Sequence, residues 1–183
     1  MKHTLLVAGF GGQGVLSLGM TLAYAAVVEG KEITWMPSYG PEMRGGTANC
    51  DVIISDTPIS SPIVASFDTV IALNQPSVDK FEKSARPGGL FLYDSTSILT
   101  PPKRTDISVL PLAASEEAVK LANTRIMNMI VLGAFLARTH VVKIESVMEA
   151  LKKVLPERYH NLLPLNEQAL RRGMELAGSL QPA

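Results

Sequence analysis

Residues 4–30 read TLLVAGFGGQGVLSLGMTLAYAAVVEG, and this stretch decides the fold class of the chain. A short apolar run from Thr4 to Ala8 precedes four glycines, and an alanine- and leucine-rich segment follows from Gly14 to Glu29. The apolar run predicts a strand, the glycines that follow it predict a tight loop, and the longer apolar segment predicts a largely buried helix. The helix is expected to end at Gly30, because glycine readily adopts the left-handed conformation that caps helix C-termini.

The alternation of strand and helix continues along the chain. Further strands are predicted at Ile33 to Met36, Val52 to Ser55, Thr69 to Leu73, Leu90 to Tyr93 and Ile107 to Leu110. Further helices are predicted at about Pro76 to Ala85, stopped by Arg86 to Gly89, and at Thr124 to Arg138, Ile144 to Leu155 and Asn166 to Leu180. Strands that are apolar on both faces are typical of a parallel sheet covered by helices. We therefore predict an α/β fold in a single domain, residues 1–183: a three-layer, doubly wound, mostly parallel sheet with helices on both faces.

The composition excludes several functional classes. Lysine and arginine total 17 and aspartate and glutamate total 17, so no charge footprint indicates nucleic acid or a membrane surface, and we expect a cytoplasmic protein. Cys50 is the single cysteine, which excludes an intrachain disulfide and a cysteine-ligated iron–sulfur cluster within these residues. We interpret it as a core residue. The three histidines lack metal-ligand spacing, and we expect no metal site.

The glycine loop matches the dinucleotide-binding pattern GxGxxG at Gly9, Gly11 and Gly14. Its placement between a strand and a helix suits an anion, because helix N-terminal amides carry partial positive charge. An acidic residue at the end of the second strand, which would bind a ribose, is absent, since that position reads Met36-Pro37-Ser38. NAD, a generic anion or pyrophosphate, and a purely structural turn all stay open at this point.

A second loop carries polar side chains between turn residues. The sequence PSYGPEMRGG, residues 37–46, presents Ser38, Tyr39, Glu42 and Arg44. In a doubly wound sheet this loop and the glycine loop are expected at the carboxyl ends of neighbouring strands, where ligands bind. Arg44 can bind a phosphate or carboxylate through its planar donor fork, or it can pair with Glu42 and fix the loop.

Together, GFGGQGV at residues 9–15 and SYGPEMRGG at residues 38–46 resemble the gamma subunit, or gamma domain, of the 2-oxoacid:ferredoxin oxidoreductases. The resemblance covers nearly the whole chain. It continues through Asn74-Gln75, through Asn128-Met129 to Ala134, and through Asn166 to Gly173.

The resemblance implies a division of labour among subunits. Thiamine diphosphate and magnesium would lie in the alpha and beta subunits, and iron–sulfur clusters in beta and a ferredoxin-like delta subunit. The complex would convert a 2-oxoacid, which we expect to be 2-oxoglutarate, with coenzyme A into acyl-CoA, carbon dioxide and reduced ferredoxin. This chain would bind no cofactor by itself and would be inactive alone.

The resemblance also implies a site on this chain. We expect a surface that meets coenzyme A phosphates or the rim of the alpha/beta active site, formed by Gly11, Gly12, Gln13, Gly14, Ser38, Tyr39 and Arg44. No acid, base or nucleophile is assigned here. A stand-alone nucleotide-binding oxidoreductase and a non-catalytic assembly module of the same complex are the alternatives. Asn123 and Asn128, on an otherwise apolar helix, need hydrogen-bond partners within the chain or across a subunit contact.

Overall fold

The computed structural model describes residues 1–39 and 47–179, with Tyr39 described by its backbone alone. Within that part, apolar strands and helices follow one another along the chain, but three pairs of consecutive strands have no helix between them. The strands are β1 (Lys2–Phe10), β2 (Glu32–Tyr39), β3 (Thr47–Ser55), β4 (Phe67–Ala72), β5 (Ala85–Asp94) and β6 (Ser108–Leu112). The helices are α1 (Val15–Val28), α2 (Gln75–Phe81), α3 (Ala114–Lys120), α4 (Met127–Thr139), α5 (Ile144–Val154) and α6 (Leu163–Ser179), with short 3-10 turns at Glu82–Ser84, Thr124–Ile126 and Glu157–Leu162.

The six strands form one mixed sheet in the order β2-β3-β1-β4-β5-β6. Strands β1, β4, β5 and β6 are parallel, and β3 runs antiparallel to both β1 and β2. The edge strands β2 and β6 carry Pro37 and Pro111, a residue that sheets tolerate mainly at their edges. The predicted α/β class with a mostly parallel sheet is confirmed.

The direction of β3 explains how the sheet departs from an all-parallel arrangement. Only residues 40–46 connect β2 to β3, whereas a parallel pair needs a crossover of a dozen residues or more. The two strands therefore form a hairpin, and β3, not β2, pairs with β1. As a consequence the glycine loop and the second loop do not follow neighbouring strands, because β3 lies between β1 and β2.

Helices cover the two faces of the sheet unequally. Helices α1, α3, α4, α5 and α6 contribute to one core cluster with Leu5, Val7 and Ile71 of the sheet. On the other face, α2 supplies Val78 to a smaller cluster with Leu6 and Phe91. The chain is doubly wound in this sense, because the α1 crossover and the α2 crossover lie on opposite faces.

Two glycines allow α4 and α6 to pack with their backbones in contact. A Cβ atom at Gly133 would lie 2.7 Å from the carbonyl carbon of Leu170, and one at Gly173 would lie 2.8 Å from that of Ile130. Neither distance is allowed for a real Cβ atom. The crossing of these two helices therefore depends on the missing side chains.

Two local features differ from the sequence prediction. Helix α3 was not predicted, because its seven residues lack a side-chain cap and a long apolar period. The stretch Arg86 to Gly89, predicted as a helix stop, lies inside β5. It pairs into the sheet because Ala85 aligns with Phe67, and a register shift between Phe67 and Thr69 accommodates the extra residues.

An ion pair with a buried carboxylate joins α3 to α6. Glu117 is 6% exposed, and its two carboxylate oxygens accept hydrogen bonds from Arg172 Nε at 2.7 Å and Lys120 Nζ at 2.8 Å. The Arg172 guanidinium, with help from Lys120, holds the pKa of Glu117 below its ordinary value against the opposing effect of burial. The stabilisation is therefore present above the unfolded-state pKa and is lost as the pH falls through the folded-state pKa.

We predict that Glu117→Gln lowers the free energy of unfolding at neutral pH by about 1 kcal/mol, because it removes charge-assisted hydrogen bonds to a buried group. The difference from wild type should shrink as the pH falls below the ordinary carboxyl pKa. Urea unfolding at a series of pH values measures this. Glu149→Gln is the matched control, since Glu149 is exposed and lies 3.9 Å from Lys153. Equal pH profiles for the two variants would contradict the assignment.

Candidate functional site at the carboxyl edge of the sheet

The ends of β1 and β2, where the two sequence motifs begin, lie at the same edge of the sheet. Phe10, at the end of β1, pairs with Thr47, and Ser38, near the end of β2, pairs with Asn49. Because β2 and β1 run in the same direction on either side of β3, both chain segments leave the sheet at its carboxyl edge. With β3 between them, the ends of β1 and β2 are about 10 Å apart.

The glycine loop is a tight turn that glycine alone makes without strain at two positions. Gly12 has φ +99° and Gly14 has φ +78°, both in the left-handed region. The turn closes through a hydrogen bond from the Gln13 amide to the Phe10 carbonyl at 3.2 Å. Gly12 is exposed and has open space around it. The backbone of this loop is therefore accessible to a ligand or a partner chain.

The Gln13 side chain closes the loop from within. Its Oε1 accepts a hydrogen bond from the Phe10 amide at 2.7 Å, and its Nε2 donates to the Leu73 carbonyl at 2.8 Å. The side chain thus ties the end of β1 to the end of β4. Both of its polar atoms are engaged within the chain, so the loop presents backbone amides, and the predicted role of Gln13 in binding would be to shape the loop.

Asn128 of α4 holds the start of α1. Its Nδ2 donates to the Gly14 carbonyl at 3.3 Å and to Ser17 Oγ at 3.0 Å, and Ser17 Oγ donates in turn to the Gly14 carbonyl at 3.1 Å. A Cβ atom at Gly14 would lie 2.7 Å from Asn128 Cγ. The partner that Asn128 requires therefore lies in this chain. Asn123 likewise accepts from the Arg125 amide and caps the turn before α4.

The start of α1 has the electrostatic character of an anion site. Gly14 provides the N-cap, no described side chain caps the helix, and its first turn carries no acidic residue. The orphan amides of a helix N-terminus and the dipole of a 14-residue helix favour a negative group there. The arrangement suits a phosphate or pyrophosphate better than a cation or a neutral ligand.

The second motif is described in part. Ser38 is exposed, and because it pairs with Asn49 it lies on the face of the hairpin away from α1. The backbone of Tyr39 pairs with Ala48. Arg44, together with its alternative partner Glu42, lies outside the described residues. The structure thus brings Ser38 and the end of β2 to the edge of the glycine loop, and the contribution of Arg44 stays a prediction.

The sheet topology weighs against NAD in this loop. In dinucleotide-binding folds the strand beside β1 ends in the acidic residue that holds the ribose. Of the two strands beside β1, β3 is antiparallel and begins at that edge, where Thr47 and Ala48 lie opposite Phe10 and Gly9, and β4 is parallel and ends there at Ala72. None of these residues carries a carboxylate.

Three residues at the same edge were not recognised as site-forming from their local sequence. Asn74 Oδ1 caps α2 by accepting from the Ser77 amide, while its buried Nδ2 has no partner among the described residues. Gln75 binds both backbone groups of Thr100. Asp94, fully buried at the end of β5, accepts hydrogen bonds from Ser97 and Ser115. The sequence signal that could have indicated them is an Asn or Asp at the end of a buried strand.

The residues that the structure describes do not group into a metal site. Cys50 is fully buried beneath Gly19, and burial raises the pKa of its thiol to about 12, as befits the predicted core residue. Across residues 1–39 and 47–179, no three His, Cys, Asp or Glu side chains are grouped so that they could hold a metal ion. In the same residues no helix has both the length and the apolar character needed to cross a bilayer.

Comparison with known proteins identifies the family. The pyruvate ferredoxin/flavodoxin oxidoreductase family model matches residues 4–176. The chain belongs to this family. The ketoisovalerate oxidoreductase subunit VorA of Methanothermobacter thermautotrophicus is 41% identical over 172 residues, which are 93% of this chain and 35% of VorA. The chain therefore spans about a third of the length of that relative.

Two solved structures share the fold. The gamma subunit of a keto/oxoacid ferredoxin oxidoreductase from Geobacter sulfurreducens superposes with a TM-score of 0.85 at 30% identity and covers 98% of both chains. A 2-oxoglutarate:ferredoxin oxidoreductase from Magnetococcus marinus, solved with 2-oxoglutarate, coenzyme A and succinyl-CoA, superposes with a TM-score of 0.90 at 26% identity. That match covers this whole chain and 32% of the other. The resemblance to gamma subunits of this family is thereby confirmed.

Proposed function

We propose that the chain acts as the gamma subunit of a thiamine-diphosphate-dependent 2-oxoacid:ferredoxin oxidoreductase, and that its carboxyl edge forms part of the coenzyme A side of the active site. The complex would produce acyl-CoA, carbon dioxide and reduced ferredoxin. The partners would be the alpha and beta subunits, which carry thiamine diphosphate and magnesium, and a ferredoxin-like delta subunit. A role that depends on partners accords with the absence of an acid, base or nucleophile from the glycine loop.

One observation carries the proposal. The glycine loop places open backbone amides at the uncapped start of α1, while Gln13 and Asn128 fix it from inside the chain. A loop held this firmly, with its donors left for another molecule, suits the pyrophosphate of coenzyme A. The Magnetococcus enzyme was solved with coenzyme A, which supports this choice of anion.

The proposal extends to the second motif. Ser38 and Arg44 would contact the same coenzyme A. We predict that Arg44→Ala in the reconstituted complex raises the apparent KM for coenzyme A by about tenfold and changes kcat little, because one charge-assisted contact to a phosphate is lost. Steady-state kinetics with saturating 2-oxoacid measure both constants.

Arg171→Ala is the matched control, since Arg171 lies on α6 and its exposed side chain pairs with Glu167. The control should leave the KM for coenzyme A unchanged. An unchanged KM in Arg44→Ala would remove Arg44 from the site. If the KM for coenzyme A is unchanged both in Arg44→Ala and in a variant of the glycine loop, the carboxyl edge of the sheet would serve assembly of the complex and not coenzyme A binding.

The choice of 2-oxoacid is a separate part of the proposal. We propose 2-oxoglutarate, the substrate named for the Magnetococcus enzyme. VorA, which is more similar in sequence, is named for ketoisovalerate. Assay of the reconstituted complex with both acids, compared by kcat/KM, decides between them.

A non-catalytic assembly role is the second candidate, and a specific surface favours it. On the face of the β2–β3 hairpin away from α1, Met36 is 42% exposed, and it shares that face with Ser38 and Asp51. Burial raises the pKa of the half-buried Asp51 carboxyl. A cation of a partner subunit placed beside this carboxylate would lower its pKa again, because an opposite charge favours the ionised form. If this role is the whole function, changes at Met36 should disrupt the complex while glycine-loop variants leave coenzyme A kinetics intact.

A further inference from the structure

A polar cleft opens at the amino edge of the sheet, opposite the glycine loop. It has a volume of about 290 Å³ and is bounded by the first residues of four strands and the last turn of α4. Its floor includes Thr69, Leu90 and Ser108, which are aligned across β4, β5 and β6. The coenzyme A site proposed above lies at the carboxyl edge, where ligands of parallel α/β sheets usually bind. Because this cleft lies at the opposite edge, it is a separate site.

The lining of the cleft carries more cationic than anionic groups. The guanidinium groups of Arg86 and Arg138 line it together with one carboxylate, that of Asp68. That carboxylate is already satisfied: Oδ2 accepts from the Thr4 amide at 2.7 Å and from Thr4 Oγ1 at 2.8 Å, and Oδ1 pairs with Arg86 at 2.8 Å. Arg86 remains exposed over more than half of its side chain, so it can bind a second anion without leaving Asp68.

Neutral donors complete the lining. His3 is half-buried, its ring edge contacts Phe135, and its Nε2 lies 3.1 Å from Thr69 Oγ1. Thr69 is fully buried. The Ser108 hydroxyl makes no hydrogen bond to any described residue and can donate into the cleft. A guanidinium, an imidazole and a hydroxyl around one small space form a donor set for an oxyanion.

Backbone irregularity positions the exposed arginine. The register shift between β4 and β5 falls at Asp68, and the backbone of Gly89 packs so closely that a Cβ atom there would lie 2.9 Å from the Arg86 carbonyl and 3.0 Å from that of Asp68. Bulges of this kind redirect side chains at the rims of sheets. Here the irregularity places Arg86 and Asp68 together at the mouth of the cleft.

We propose that this cleft is a binding site for a small oxyanion, a phosphate- or carboxylate-bearing molecule, held by Arg86, His3 and Ser108. Its volume of about 290 Å³ is close to the lower limit for ligand pockets, which favours a small occupant. The proposal concerns a site on the opposite edge from the glycine loop and stands whether or not that loop meets coenzyme A.

Protonation of His3 is coupled to this binding. Burial lowers the pKa of His3, Asp68 opposes this effect and Arg86 adds to it; Arg138 of α4 also lines the cleft, and β6 contributes the uncharged Ser108. A bound anion favours the imidazolium form. Binding therefore tightens as the pH falls toward the pKa of His3, and His3→Gln abolishes that pH dependence while it keeps a donor near Thr69.

Titration of the full-length chain, followed by amide chemical shifts in NMR spectra, tests the proposal. Sulfate, which does not titrate in this range, is the probe for pH dependence, and inorganic phosphate and succinate distinguish a phosphate from a carboxylate ligand. We expect saturable shifts at Thr69, Leu90 and Ser108 with a Kd of about 1 mM. Arg86→Gln should weaken binding about tenfold.

Arg171→Gln serves as the control, because it removes the same charge from an exposed ion pair on α6. Saturable shifts confined to the cleft, with a Kd that rises about tenfold in Arg86→Gln and is unchanged in Arg171→Gln, support the proposal. Shifts that do not saturate, that spread over all exposed arginines, or whose Kd is unchanged in Arg86→Gln overturn it. A thermal melt of Arg86→Gln without added anion verifies that the variant is folded.

Discussion

Gly133→Ala is expected to destabilise the chain by at least about 3 kcal/mol, which is one of the two largest effects that the structure predicts. The new methyl group would be placed against the backbone of Leu170, 2.7 Å from its carbonyl carbon. Backbone atoms cannot rotate away as a side chain can, so α4 and α6 must separate. Gly173→Ala should behave similarly, since its Cβ would meet the backbone of Ile130. Urea unfolding followed by circular dichroism measures the loss.

Gly178→Ala is the matched control within the same pair of helices. Gly178 lies in α6, and a Cβ atom there meets nothing within 4 Å. Alanine has the higher helix propensity, so this variant should be stabilised by about 0.5 kcal/mol. If Gly133→Ala and Gly178→Ala unfold at the same urea concentration, the close crossing of α4 and α6 is wrong.

Gly14→Ala is the second large prediction and combines two costs. A left-handed φ of +78° costs a residue with a Cβ atom about 1–2 kcal/mol. The methyl group would also lie 2.9 Å from Asn128 Cβ and 2.7 Å from its Cγ, which displaces the amide that holds Gly14 and Ser17. We expect a total loss of about 3 kcal/mol in the free energy of unfolding.

Gly12→Ala separates the two costs. Gly12 has φ +99° but open space around the position of a Cβ atom, so this variant should show the backbone strain alone. Adding Asn128→Ala to Gly14→Ala should recover the part of the steric cost that comes from Asn128 Cγ and its amide, and should leave the backbone strain and the close approach of the Asn128 Cβ. A loss in Gly14→Ala no larger than that in Gly12→Ala would falsify the contact between α4 and the start of α1.

The sequence predicted the unit formed by β1, the glycine loop and α1 well because its signals are local. Gly12 and Gly14 make the turn between β1 and α1 possible, and the predicted helix matches Val15–Val28 within a residue at each end. Strand direction, in contrast, has no signal in strand composition. The antiparallel β3 follows from the short connection at residues 40–46, a constraint on length that the apolar pattern does not express.

In the candidate site, too, local features could be predicted from the sequence and long-range contacts could not. The position of the glycine loop at a strand end and the core placement of Cys50 could be read from the sequence. The contact between Asn128 and Gly14 could not, because 114 residues separate them and only the packing of α4 against α1 brings them together. The use of Gln13 as an internal tie to Leu73 is likewise a tertiary effect across 60 residues.

Proline in both outermost strands has a consequence for how copies of this chain behave at high concentration. The chain has no net formal charge at neutral pH, so long-range repulsion does little to keep molecules apart. Pro37 and Pro111 interrupt the free hydrogen-bonding margins along which a foreign strand could add. Protection against fibrous self-association therefore comes from two missing amide hydrogens, and changing either proline to a β-branched residue would open that route.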